Sequence, residues 1–211
     1  NTMDLIPSLM TDGLRRAQGI KDGIEFVRAS GGRRLMGVTS NYRTLEGKRS
    51  TFIVLNETHH WVSGNQGQKM YETVTNNTAK MKGRFIAITN AYLPGEDSVA
   101  EKMRLDFELK SDQFEKGLIE DPRFLYDSIE APSTTPLTDR VLRLVLPPVR
   151  GDALWLDLDF IIASIRDSAI SVSRSRRMWL NQIEADDDAL YDSGTWDALG
   201  VASSLVRGDE I

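Results

Sequence analysis

Asn56, Glu57, His59 and His60 lie within one five-residue stretch, and each carries a side chain that can do chemistry. A glutamate can orient or deprotonate a water molecule. Two imidazoles beside a carboxylate are donor types that suit zinc-like ions. The residues before them, Phe52-Ile53-Val54-Leu55, are apolar without a break. Such a run predicts a strand buried on both faces, as in the interior of a parallel sheet. Ligands of open parallel sheets bind outside the carboxyl ends of the strands, and the polar group emerges there. A second apolar run, Phe85-Ile86-Ala87-Ile88, ends in Thr89 and Asn90. It offers a hydroxyl and an amide at the matching end of another strand.

The two histidines invite a metal reading, and their spacing argues against it. Successive residues of an extended segment point to opposite faces, so His59 and His60 are not expected to share an ion. Glu57 and His59 would face one way without a third ligand. The H-E-x-x-H order of helical zinc sites is absent. A positioning or packing role is therefore expected for the histidines, and Trp61 is expected to pack on the sheet edge.

The surrounding pattern supplies the elements that would position this group. Residues 2–18 carry Met3, Ile6, Leu9, Met10 and Leu14 near helical spacing, so the chain is expected to open within an amphipathic helix. Gly23–Gly32 and Arg33–Ser40 read as two short strands about a Gly-Gly turn. A polar loop leads to the run at Thr51–Leu55. A loop and a helix bearing Met70, Val74 and Met81 follow, then the strand of Gly83–Ala91, ended by Pro94 and Gly95. Residues 96–117 read as a charged amphipathic helix. Strand, helix, strand, helix predicts parallel strands joined by crossover helices. Beyond it, 123–132 reads as one more strand and Ser133–Pro136 as a linker. A helix over 137–146 is expected to stop at Pro147-Pro148. Leu158, Ile161, Ile162 and Ile165 form one stripe. A last helix over 171–184 has Ser171 or Ser173 as N-cap. The acidic tract Asp186–Asp188 reads as solvated connection, and Leu205–Ile211 as the start of a strand.

Composition bounds the classes. The 211 residues carry 26 Lys and Arg against 31 Asp and Glu, a net charge of -5, so no global basic signal marks a nucleic-acid binder. Local basic clusters can still meet phosphates. There are no cysteines, which removes disulfides and thiolate metal sites. No apolar run reaches membrane-spanning length and no signal peptide is visible, so a membrane is not an expected partner.

Thr39–Trp61 together with Gly83–Ser98 resembles the ATPase half of the large subunit of tailed-phage terminases, the DNA-packaging motors. Gly151–Asp159 and Ser175–Gln182 resemble the helical segment between the ATPase and nuclease halves of that family. The resemblance covers about residues 1–185. It implies an α/β fold, a mostly parallel sheet of the P-loop NTPase (RecA or helicase-like) type with flanking helices, followed by a small helical segment. It divides the chain into the later part of an ATPase domain (1–132), a helical linker (133–190) and a connection toward a nuclease domain (191–211). It implies that Glu57, ending the Walker B strand, is the catalytic base, and that Thr89, Asn90 and Ala91 form the coupling motif that senses the γ-phosphate. It also implies ATP and Mg²⁺ as cofactors, with double-stranded DNA, a small subunit, a portal protein and ring-forming sister subunits as partners, in the host bacterial cytoplasm.

Two departures qualify this. Asn56 stands where the family holds Mg²⁺ with an Asp, and a neutral carbonyl binds a hard cation more weakly, which leaves an outer-sphere role. No G-x-x-x-x-G-K-[ST] occurs in the chain. Gly47-Lys48 is followed by Arg49 and precedes a strand, where a phosphate loop must precede a helix. Taken alone, the polypeptide is expected neither to hydrolyse ATP well nor to cut DNA.

Plainer roles stand beside each of these. Glu57 could cap a turn or pair with Arg43 or Arg49, and Asn56 could satisfy a backbone group. Arg43, Lys48 and Arg49 could touch DNA or a nucleotide, or be solvated. The stripe Arg174, Arg176 and Arg177 is expected to neutralise nearby acids such as Glu184 and Asp186. The two N-x-[ST] sequons are expected to be chance matches. The alternatives to the motor reading are a non-catalytic α/β scaffold or interaction module, and another helicase-like ATPase.

Overall fold

A computed structural model of the chain describes residues 9–21, 23, 26–38, 41–121 and 125–185. The expectations for residues 2–8, 123–124, the acidic tract at 186–188 and the connection at 191–211 fall outside these. The backbone divides into two units, Asn1–Thr44 and Leu45–Ile211.

In the first unit, α1 (Asp12–Gln18) begins where the Thr11 hydroxyl accepts the Leu14 N–H, and it ends at Gly19 in the left-handed conformation. The helix expected over 2–18 is helical, among its described residues, only from Asp12: Leu9 and Met10 lie in a turn and a bend before the Thr11 cap. The expected hairpin is present: β1 (Phe26–Arg28) pairs antiparallel with β2 (Arg34–Met36), Val27 opposite Leu35. Its turn runs through Gly31 and Gly32, both at positive φ, where a side chain would be strained. The Arg33 guanidinium bonds the Ser30 carbonyl at 2.9 Å and braces the turn. A short helix, α2 (Tyr42–Leu45), ends at the junction of the two units.

The second unit holds β3 (Phe52–Asn56), α3 (Gly67–Met81), β4 (Arg84–Ile88) and α4 (Val99–Glu115). β3 and β4 are parallel, with Phe52 level with Arg84 and Asn56 level with Ile88. The helix α3 is the crossover between them. It lays Met70 and Val74, both buried, toward the sheet, and Tyr71 meets Phe85 edge-on.

Among the described residues the expected mostly parallel sheet of the P-loop NTPase type is absent. The described residues form two sheets of two strands each, one of them antiparallel. Nor are β3 and β4 buried on both faces. Leu55 is buried beneath α3, whereas Phe52, Val54, Ile86 and Ile88 are 58%, 52%, 48% and 53% exposed. The strands alternate in burial with period two, so an unbroken apolar run here covers one packed face and one open face. The strand expected at 123–132 is also absent from 125–132. That stretch is held by other bonds: Arg104 pairs with Glu130 at 2.7 Å and lies over the Tyr126 ring. The Ala131 N–H reaches the Leu180 carbonyl, and Asn181 reaches that of Ile129.

Three helices follow, α5 (Asp139–Arg150), α6 (Leu158–Ile165) and α7 (Val172–Leu180). They enclose Leu142, Leu146, Ile161, Ile162, Ile165 and Leu180. The stripe on α6 and the Ser171 cap of α7 are as the spacing predicts. The prolines do not stop α5, which continues to Arg150. Their missing N–H groups would have bonded the carbonyls of Arg143 and Leu144. Both residues are exposed. Among the described residues no helix is long and apolar enough to cross a membrane.

The junction of β3 and α3 depends on a glycine. A Cβ on Gly67 would lie 2.4 Å from the Cα and carbonyl carbon of Trp61. Gly67→Ala is expected to destabilise the second unit by about 3 kcal/mol, the upper end for forced overpacking, measured by urea unfolding. Gly64→Ala, with open space around it, serves as the control and should change stability by well under a third of that.

Candidate functional site

β3 delivers its chain to the rim through Glu57. The Glu57 N–H donates to the Ile88 carbonyl at 2.8 Å, one step past the last paired residues. The backbone then turns left-handed at Glu57, φ 58 and ψ 46. For a non-glycine residue this conformation costs of order 1–3 kcal/mol. It ends the strand and starts a 3₁₀ turn over Thr58–His60, against which α4 packs. The Val99 N–H at the head of α4 donates to the Trp61 carbonyl at 2.9 Å. Ser98 caps that helix, and the Glu101 carboxylate accepts from the N–H groups of Gly95 and Asp97.

This turn corrects the premise that kept the histidines apart. Residues 58–60 are not extended, and the rings of His59 and His60 lie 3.9 Å apart. One ligating atom from each of Glu57, His59 and His60 falls within 4.8 Å of the others. His59 is nearly buried, and its Nε2 is 3.5 Å from Glu57 Oε2. Its Nδ1 is 2.9 Å from Thr89 Oγ1, which also accepts the His59 backbone N–H at 3.0 Å. The Thr89 hydroxyl donates its one proton to the Asn90 carbonyl. With the Thr89 proton on the Asn90 carbonyl, His59 takes the Nδ1–H tautomer and its lone pair sits on Nε2, toward Glu57; with that proton on Nδ1, the ring turns an Nε2–H to Glu57 instead. Burial, reinforced by His60, holds the His59 imidazole below its ordinary pKa, against the opposing pull of Glu57. Neutral His59 is thus the form present near pH 7.

The other expected site residues are placed as follows. Asn56 ends β3 and is exposed, on the open face with Phe52 and Val54. Thr89 and Asn90 follow β4 directly, and Ala91 is half-buried after them. The Asn90 amide reaches the Met178 sulfur of α7 at 4.0 Å. Arg43, in the first unit, is exposed and lies against the Tyr42 ring. Lys48 and Arg49 lie in the segment entering β3, Lys48 half-buried and Arg49 exposed. Among the described residues, the side chain facing the Glu57 carboxylate is the His59 imidazole and not an arginine. On α7, Arg176 bonds the Gln182 side chain and Arg177 the Glu184 backbone carbonyl. Those two bonds fix the helix end and are not carboxylate pairs.

The convergence of His60 with His59 and Glu57 escaped the reading of the sequence because it depends on the left-handed turn at Glu57, which no residue type there announces. Thr58 escaped as well. It is fully buried and, among the described residues, its hydroxyl has no hydrogen-bond partner.

No family model matches the chain, and no solved structure does. It is similar to the Gene 13 protein of Mycobacterium phage D29, 32% identical over 217 residues, with 93% of this chain aligned. It is also similar to the Gene 13 protein of Mycobacterium phage L5, 32% identical over 244 residues, with 100% of this chain aligned. The alignments cover 36% and 40% of those two proteins, so the chain spans well under half the length of either relative.

Two threonines flank His59 and should respond oppositely. Thr89→Val removes the acceptor of the His59 N–H and Nδ1–H, and should cost about 1–2 kcal/mol by thermal or urea unfolding. Thr58→Val replaces a buried, unpartnered hydroxyl by a methyl of the same shape, and should be neutral or stabilising.

Proposed function

We propose that this chain is a portion of a tailed-phage terminase large subunit, the motor that couples ATP hydrolysis to packaging of double-stranded DNA, and that Glu57 is its general base. One observation carries the reading. The Glu57 carboxylate is solvent-accessible at the carboxyl end of β3, and His59 ties that end to Thr89 at the end of the adjacent parallel strand. A base and a sensing residue on neighbouring strand ends are where a phosphate and an attacking water could both be read. The Asn90 contact with α7 offers a route from that rim to the helical segment. The phage origin of the two relatives is consistent with the reading.

The metal donors here do not fit Mg²⁺ by themselves. Asn56 contributes one amide oxygen on the open face of β3, and Glu57 one carboxylate. Magnesium takes a near-octahedral set of oxygens. ATP and Mg²⁺ are cofactors of the proposed whole protein. What these residues do is hold and orient a water: Glu57 accepts its proton, and the turn that carries Glu57 is fixed by the bonds of His59 to Thr89. The partners of the proposed motor are DNA, a small subunit, a portal and sister subunits in a ring, in the cytoplasm of the bacterial host.

The open apolar face favours a second reading. Phe52, Val54, Ile86 and Ile88 form a contiguous exposed set, as on a surface made for docking. With no G-x-x-x-x-G-K-[ST] in the chain, these residues would serve as a scaffold without chemistry. Tight Mg²⁺-dependent ATP binding by the 211-residue chain in calorimetry would eliminate that reading.

In the full-length protein, Glu57→Gln should lower the ATPase kcat by about 100- to 10,000-fold, the usual contribution of a positioned base, with ATP binding little changed. Turnover equal to that of the parent would remove Glu57 from the role.

A further inference from the structure

We propose that Glu57, His59 and His60 form a binding site for a divalent transition ion of the zinc type, with Thr89 as the outer partner that fixes its central ligand. The proposal goes beyond the ATPase reading and does not rest on it.

The donor inventory is unusually clear. The chain has two histidines and no cysteine, and both imidazoles are in this one turn. One ligating atom from each of the three side chains lies within 4.8 Å of the others. The pair whose positions are closest defined, His59 Nε2 and Glu57 Oε2, is separated by 3.5 Å. Two ligands on a tetrahedral zinc, each at about 2.0–2.2 Å, stand about 3.3–3.5 Å apart. The pair already has the spacing of neighbouring ligands on one ion.

Tautomer logic points the same way. With its proton on the Asn90 carbonyl, Thr89 accepts from His59 Nδ1. His59 therefore turns a bare Nε2 lone pair toward a carboxylate oxygen. Two acceptors face each other at 3.5 Å, an arrangement that a cation between them makes favourable. A ligating histidine whose other ring nitrogen donates to an oxygen is the usual construction of a zinc site. Thr89 fills that place, and its grip on the His59 backbone N–H holds the whole turn.

Access and selectivity follow from burial and donor type. His59 forms the floor, while Glu57 and His60 are exposed, so an ion enters from solvent and keeps at least one position for water. Two nitrogens and one carboxylate suit zinc and its first-row neighbours, and suit magnesium poorly. A bound ion would engage the Glu57 carboxylate, so metal binding and general-base action would compete for one group.

The test uses the 211-residue chain stripped of metal. Zn²⁺ is titrated by calorimetry and Co²⁺ by visible absorption, with histidine ring signals followed by NMR. The expected result is one ion per chain, cobalt bands of a four- or five-coordinate site, and shifts in both imidazoles. His60→Ala and Glu57→Gln change exposed side chains, so the fold should hold, and each should weaken affinity at least tenfold. Thr89→Val should weaken it about tenfold, as loss of an outer partner does. Absence of binding would overturn the proposal. So would binding that His60→Ala leaves undiminished, or cobalt bands of an octahedral site with no imidazole shift, since either assigns the ion to carboxylates elsewhere. The readout is independent of hydrolysis, so failure here leaves the ATPase reading standing, and the reverse.

Discussion

The hydroxyl of Thr89 is the point on which the rim of the second unit turns. It receives two donors from one residue, the backbone N–H and the ring Nδ1 of His59, and passes its proton to the next carbonyl. The parallel register of β3 and β4 brings it there: Asn56 lies level with Ile88, so the residues just past each strand end meet. The Glu57 N–H bonded to the Ile88 carbonyl extends that register by one step. With these bonds in place, Glu57, His59 and His60 are held together. Without them the chain leaving β3 would have no fixed direction, and three polar side chains would be three solvated groups.

Much of the local structure was legible, because it is written in short-range chemistry. Gly31 and Gly32 permit the positive φ of the hairpin turn, Ser171 can cap only a helix that starts after it, and the α6 stripe has helical spacing. The parallel relation of β3 and β4 followed from a helix lying between two strands. The extent of the sheet did not follow. An apolar run such as Phe52–Leu55 has the same composition whether one face or two are covered, and only the tertiary partners decide. Likewise, Pro147 and Pro148 remove two N–H donors within α5, yet the helix runs on to Arg150.

The site was half legible for a related reason. Residue types marked the rim, and the apolar run marked the strand that reaches it. Whether His59 and His60 diverge or converge depends on one backbone angle at Glu57, and glutamate gives no hint of a left-handed φ. Asn or Gly would have done so. The extended geometry that separates neighbouring side chains was a sound default, and the 3₁₀ turn replaces it with one that gathers them.

That angle also bears on why a glutamate is there at all. A left-handed residue that closes a strand is most cheaply a glycine. Here the position carries a long charged side chain at a cost of order 1–3 kcal/mol, with its carboxylate half-exposed and facing a neutral, nearly buried imidazole. Packing does not require the carboxylate, since it fills no core position. Nor does it answer a buried cation, for the imidazole beside it is held neutral by its surroundings. What the arrangement keeps is an accessible anionic oxygen at a fixed distance from a lone pair, above a floor tied to the next strand. Such a pair can take up a proton from water or share a cation, and both uses need the strained conformation that sets the distance.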